Sequence, residues 1–256
     1  MRLAPLALLV ALAGTTTRAQ TQDLAARVAA APDGTVRLAF TARPDVCGNG
    51  HSHTYYSSSN DVQWADDCQH GPVRVVLEVR DHAPTTVHTY VGGHWRPVPV
   101  GGRVVTDLGM VSAPEAAVYL VGLADRLPGS AGGEAIMPAT LADSATIWPQ
   151  LVALARNTGR PTRTREQAVF WLGQAASDVS ASLDSIVGDE RQDDDIREKA
   201  IFALSQRPRD EGVPALIRIA KTNPDPALRK KALFWLGQSG DPRAIDLFEQ
   251  ILTDHR

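Results

Sequence analysis

Two hydrophobic rhythms divide the chain. Between residues 35 and 108 apolar and polar side chains alternate, whereas from residue 112 onward apolar positions recur every three or four residues. The alternation is strictest in VRVVLEVR (73–80), where Val73, Val75, Leu77 and Val79 fall on one face. TTVHTYV (85–91) repeats it after the turn Asp81-His82-Ala83-Pro84, and together they predict a strand–turn–strand hairpin. TVRLAFTAR (35–43), and RVVTDL (103–108) after Gly101-Gly102, add two further strands. A small antiparallel sheet is expected. The rhythm changes at SAPEAAVYLVGLADR (112–126), where Ser112 and Glu115 predict a helix opened by a capping box. A second helical stretch is expected over EAIMPATLAD (134–143).

The helical half repeats itself. VFWLGQAAS (169–177) returns as LFWLGQSGD (233–241), with IFALSQRPR (201–209) midway, so that Phe170, Phe202 and Phe234 recur every 32 residues. Arg165, Arg197 and Arg229 keep step, as do Ala168, Ala200 and Ala232, then Leu172, Leu204 and Leu236, and finally Gln174, Gln206 and Gln238. A period of this length signals stacked units that bury their apolar faces only against one another. Within a unit, REKAIFALSQ (197–206) reads as a first helix and VPALIRIA (213–220) or AIDLFEQIL (244–252) as a second. Pro214 suits a helix start, and Asp193 and Asp225 suit the turn before the next first helix, where a carboxylate caps exposed N–H groups. The unit is therefore a helical hairpin. The three phenylalanines read as wedges between units, with the three alanines permitting close approach of the helices. Trp171 and Trp235, whose counterpart is Ala203, read either as space-fillers between units or as protruding anchors for a partner.

The stretch DPALRKKALFWLGQSGDPRAIDLFEQIL resembles the HEAT-repeat family, in particular the short HEAT-like repeats of phycobilisome lyases. The resemblance is carried by Asp225-Pro226 before Arg229 and Ala232, by Gly237, and by Gly240-Asp241-Pro242 between the helices. It is clear from about residue 160, although Pro161-Thr162-Arg163-Thr164 replaces the aspartate-containing turn in the first full unit. WPQLVALARNTG (148–159) is similar to VPALIRIAKTNP (213–224) and extends it weakly backward. The whole chain also resembles secreted bacterial HEAT-repeat proteins with a small cysteine-containing N-terminal region. That likeness implies an α-helical solenoid and a binding surface. It implies no reaction, since a shared fold does not carry the lyases' chemistry with it.

The first residues sharpen the compartment. Arg2, the apolar run Leu3–Ala13 and the small residues around Thr17-Arg18-Ala19 read as an export signal ending at residue 19. A run of about 11 apolar residues is too short for a bilayer, which needs roughly 20. No other segment suggests a membrane span, and the expected location is the periplasm or outside the cell. The expected plan is a signal peptide (1–19), a small antiparallel β region (20–110) and a helical HEAT-like array (111–256), an α+β chain overall. The net charge of −3, and the balance of 16 basic against 16 acidic residues over 149–256, lack the cationic footprint that nucleic acid requires.

Candidate chemistry is confined to the β region. Cys47, His51 and His53 in CGNGHSH (47–53), with Cys68 and His70 in DDCQH (66–70), are all capable metal ligands, suiting zinc or copper. Their spacing fits no standard zinc-finger pattern, and an oxidising compartment favours a Cys47–Cys68 disulfide instead. His88 and His94 read as surface residues. No G-x-S-x-G elbow, H-E-x-x-H, phosphate loop or dinucleotide fingerprint is present, so no catalytic residue and no cofactor is expected. The leading expectation is a non-catalytic exported scaffold that binds a protein or peptide through the array. The alternative is a metal-binding protein using the cysteine–histidine cluster.

Overall fold

A computed structural model describes residues 23–50, 55–57, 68–95, 104–175 and 179–253. It has a four-stranded sheet followed by a run of helices, an α+β arrangement.

The strands of the main sheet are β1 (Gly34–Phe40), β4 (Val73–Arg80), β5 (Ala83–Val91) and β6 (Val105–Met110), in the order β5-β4-β1-β6. Two short strands, β2 (Val46–Gly48) and β3 (Tyr55–Ser57), form a separate ribbon. Alternation works as expected in β4, where Val73, Val75, Leu77 and Val79 are buried. Val36 and Leu38 of β1 lie opposite Leu77 and Val75 and complete the inner face. The β4–β5 turn places Asp81 and His82 both at positive φ, which matches the twist a two-residue hairpin requires.

The sheet is mixed rather than antiparallel throughout. β6 pairs with β1 in parallel, Val36 lying opposite Thr106. After the β4–β5 hairpin the chain returns across the sheet to the free side of β1, and this crossover fixes the parallel direction. A short helix that alternation did not reveal, α1 (Leu24–Ala29), is capped by the Asp23 carboxylate on Ala26 N–H and buries Leu24 and Val28.

The switch to helical rhythm falls where expected. Ser112 Oγ accepts from Glu115 N–H at the start of α2 (Ala113–Ala124). The capping box is only half made, because Glu115 Oε1 accepts from Leu24 N–H and so ties α2 to α1. The remaining helices are α3 (Ala131–Thr140), α4 (Trp148–Arg156), α5 (Thr162–Gly173), α6 (Ser180–Val187), α7 (Asp194–Ser205), α8 (Arg209–Thr222), α9 (Pro226–Ser239) and α10 (Pro242–Thr253). Pro214 lies inside α8, which begins at Arg209, rather than near its start. Helices α3, α5, α7 and α9 lie side by side, and α6 and α8 pack together as a second layer. The apolar core is continuous from the sheet into the array.

The repeated arginines carry the period into bonds. Arg165, only 2% exposed, donates to the Ala155 carbonyl at the end of α4, to Gln192 Oε1, and to the Asp193 carboxylate of the next unit. Arg197 repeats the arrangement one period later, reaching the Val187 carbonyl at 2.9 Å and standing 3.6 Å from Asp225. Each arginine thus satisfies an orphan carbonyl at one helix end and meets the turn aspartate of the following unit. Asp225 also accepts from Ala227 N–H as a cap, whereas the Asp193 side chain makes no cap bond.

Candidate functional site

Cys47 on β2 and Cys68 are joined in a disulfide, with Cα atoms 5.4 Å apart. The bond takes up both sulfurs, so the thiolate ligands of a metal site are not available. His51 and His53 lie outside the described residues. His70 is exposed, with Nδ1 3.2 Å from the Val46 carbonyl oxygen. Among the described residues no group of three or more His, Cys, Asp or Glu side chains could hold a metal ion. The disulfide instead shapes one end of the sheet. Gly48 and Gln69 bond to each other through their backbones, and Gly50 N–H donates to the Val91 carbonyl at the end of β5. Here Gly50 and Gly93 approach so closely that a Cβ on Gly50 would stand 2.8 Å from Gly93 Cα.

The phenylalanines are not the buried wedges. Phe170 and Phe202 are half-buried and Phe234 is 55% exposed, whereas Trp171 is 8% exposed and Ala203 is fully buried. The inward-facing position of the repeat is therefore the one after the phenylalanine. Its occupant varies because its neighbour varies. Ala203 abuts Gly173 of α5, where even a Cβ on the glycine would stand 2.9 Å from the Ala203 Cβ. Trp235, half-buried, faces the more open neighbour Phe202 at 5.1 Å and meets Phe234 edge-on at 5.0 Å. Trp171 faces something else again.

Trp171 lines a pocket of about 350 Å³ where the sheet meets the array. Three elements build it. Edge strand β5 gives Val87, His88 and Thr89, α3 gives Gly133, Glu134 and Met137 after Ser130, and α5 gives Arg163, Gln167 and Trp171. On α5 the three residues stand four apart, which places them on one helix face. The glycine at 133 lets α3 and α5 close together, since a Cβ there would meet Gln167 Cγ at 3.1 Å. Its apolar lining is the indole of Trp171, the thioether of Met137 and the body of Val87. The Thr89 side chain is 2% exposed, and its hydroxyl has no hydrogen-bond partner among the described residues. At the rim Glu134 and Arg163 are exposed, and neither forms an ion pair with a described residue. Apolar lining groups, one buried hydroxyl, and exposed groups of both signs form the pattern of a binding pocket.

Sequence reasoning singled out Trp171 as a candidate anchor, but none of the residues that line the pocket with it. Thr89 and His88 read as ordinary strand positions, and the glycines of α3 carry no signal that α5 packs on them.

Residues 189–256 match the family model of HEAT repeats. The matched segment comprises α7 to α10, together with the turn that leads into α7. The pocket lies outside them, on elements nearer the N-terminus. No curated protein and no solved structure matches the chain. None of the helices among the described residues is long and apolar enough to cross a membrane.

Proposed function

We propose that this chain is an exported, non-catalytic scaffold that holds an extended segment of a protein or peptide partner at the junction between sheet and array. The observation that carries the reading is the Trp171 pocket beside β5. That strand is the edge of the main sheet, so one side of its backbone has no neighbouring strand among the described residues. A segment lying along such an edge gains main-chain hydrogen bonds, and alternate side chains enter pockets. The pocket suits an apolar side chain against Trp171 and Met137. HEAT repeats commonly mediate protein interactions, which supports the scaffold reading. Export rests on the pattern of residues 1–19, whose charged start, short apolar run and small residues suit a cleavable signal.

The test is selection of a random peptide library on the full-length protein, followed by titration of the enriched peptides. Arg163→Ala combined with Gln167→Ala should weaken binding at least tenfold while leaving the melting temperature unchanged. A library that yields no enriched sequence, or enriched peptides indifferent to both substitutions, would count decisively against the pocket.

A further inference from the structure

The outer side of α9 and α10 is more apolar than an exposed surface of a repeat array should be. A helix face of such an array that meets water is expected to be polar. Here Leu252 is 72% exposed and Ile245 57% exposed, with Phe248, Ile251 and Leu233 half-buried beside them. The positions one period earlier are Ala220, Val213, Leu216, Ile219 and Ile201, and all five are buried. The same sequence positions are thus covered where a helix has neighbours on both sides and uncovered here, where no described element packs outside α9 and α10. An aromatic follows the same rule. Phe202 is shielded by Trp235 of the next unit, and Phe234 lacks such a shield.

The ionic pattern breaks at the same place. Arg165 and Arg197 each meet the aspartate that lies 28 residues further on, Asp193 and Asp225. Arg229 keeps the backbone half of the pattern, donating to the Asn223 and Pro224 carbonyls, but pairs with no described carboxylate. The surface therefore presents an apolar strip and a guanidinium without an acidic partner.

We propose that this surface is where a second copy of the chain packs tail to tail, as a two-fold dimer. A face that packs on its own copy makes a closed, isologous contact. Its charges suit self-pairing. Arg229 and Lys230 lie on α9, and Asp246 and Glu249 are exposed on α10. A two-fold rotation brings the basic edge of one copy to the acidic helix of the other and gives Arg229 the carboxylate its counterparts already have.

Sedimentation velocity of the full-length protein over a hundredfold concentration range tests this. The expected result is a reversible species of twice the protomer mass. Leu252→Glu and Ile245→Glu, both at exposed positions, should each raise the dissociation constant at least tenfold, with helical content and melting temperature unchanged. Arg229→Glu combined with Glu249→Arg should dimerise better than either single change. A monomer at all concentrations overturns the proposal, as does a dimer indifferent to Leu252→Glu. Growth beyond two protomers overturns two-fold closure. A monomer that carries a different protein, released by Leu252→Glu, assigns the face to that protein and likewise overturns self-pairing.

Discussion

Arg165 and Asp193 join neighbouring units of the array through a guanidinium that is almost wholly buried. Buried charges are costly unless every hydrogen bond is made, and Arg165 comes close by adding the Ala155 carbonyl and the Gln192 side chain. Replacing the arginine strands those partners and leaves a void. Arg165→Ala should therefore destabilise the protein by about 3–5 kcal/mol. Asp193→Asn should cost less, because the carboxylate is 55% exposed. Urea titrations of both variants check the order.

Leu204 lies at the centre of the middle unit and is fully buried, whereas Phe202, two residues earlier, is half-buried. Leu204→Ala should cost about 2–5 kcal/mol. Phe202→Ala should cost clearly less, although the phenylalanine is the more conspicuous member of the repeat. Equal losses in thermal melts would show that the inward face of α7 is assigned wrongly.

The packing of Gly173 on Ala203 predicts a failure of consensus design. Changing Ala203 to the tryptophan found in the other two copies would drive an indole into the α5 backbone. Ala203→Trp should be destabilising by about 1–3 kcal/mol or more, as overpacking usually is. Calorimetry of the single variant decides the point, and an increase in melting temperature would contradict it.

The Cys47–Cys68 bond closes a loop with a sequence separation of 21 residues. Its removal should cost about 3 kcal/mol through the unfolded chain. A Cys47→Ala/Cys68→Ala variant should match the wild type measured under reductant. A wild-type protein insensitive to reductant would argue against the bond's contribution.

Tyr119 on α2 gives a test in alkali. Burial pushes its phenol up to about 12, against an ordinary value near 10. The folded protein then holds a proton that the unfolded chain releases, so stability is full below pH 10 and falls between about 10 and 12. Tyr119→Phe should flatten the decline in this window. Denaturant midpoints at pH 9 and pH 11 measure the difference.

The sequence shows equivalence well and adjacency poorly. A period of 32 residues marks Phe170, Phe202 and Phe234 as the same place in successive units, but sameness does not say what that place touches. The inward position is Trp, Ala, Trp because each copy faces a different neighbour, and variation of this kind obscures the importance of a site in one sequence. Alternation located β4 and β5 closely, since it reports which face a residue shares. It is blind to partner strands, so the parallel pairing of β6 with β1 had no local sign. The arginines were visible as a period, while their burial was not, because a charged residue on a helix ordinarily reads as solvated. The pocket was least legible of all. It is assembled from residues as far apart as Thr89 and Trp171, and only tertiary packing brings them together.

The pairing of β1 with both β4 and β6 also bears on the order of events when the chain folds. A central strand that begins at Gly34 must wait for a partner ending at Met110, and closing so long a loop delays its reward. Hairpins further along need only their sequence neighbours, and such units can nucleate locally and spread. The slowest part of the molecule to form is therefore its beginning, and the Trp171 pocket, whose lining is drawn from both the sheet and the helices, is completed last.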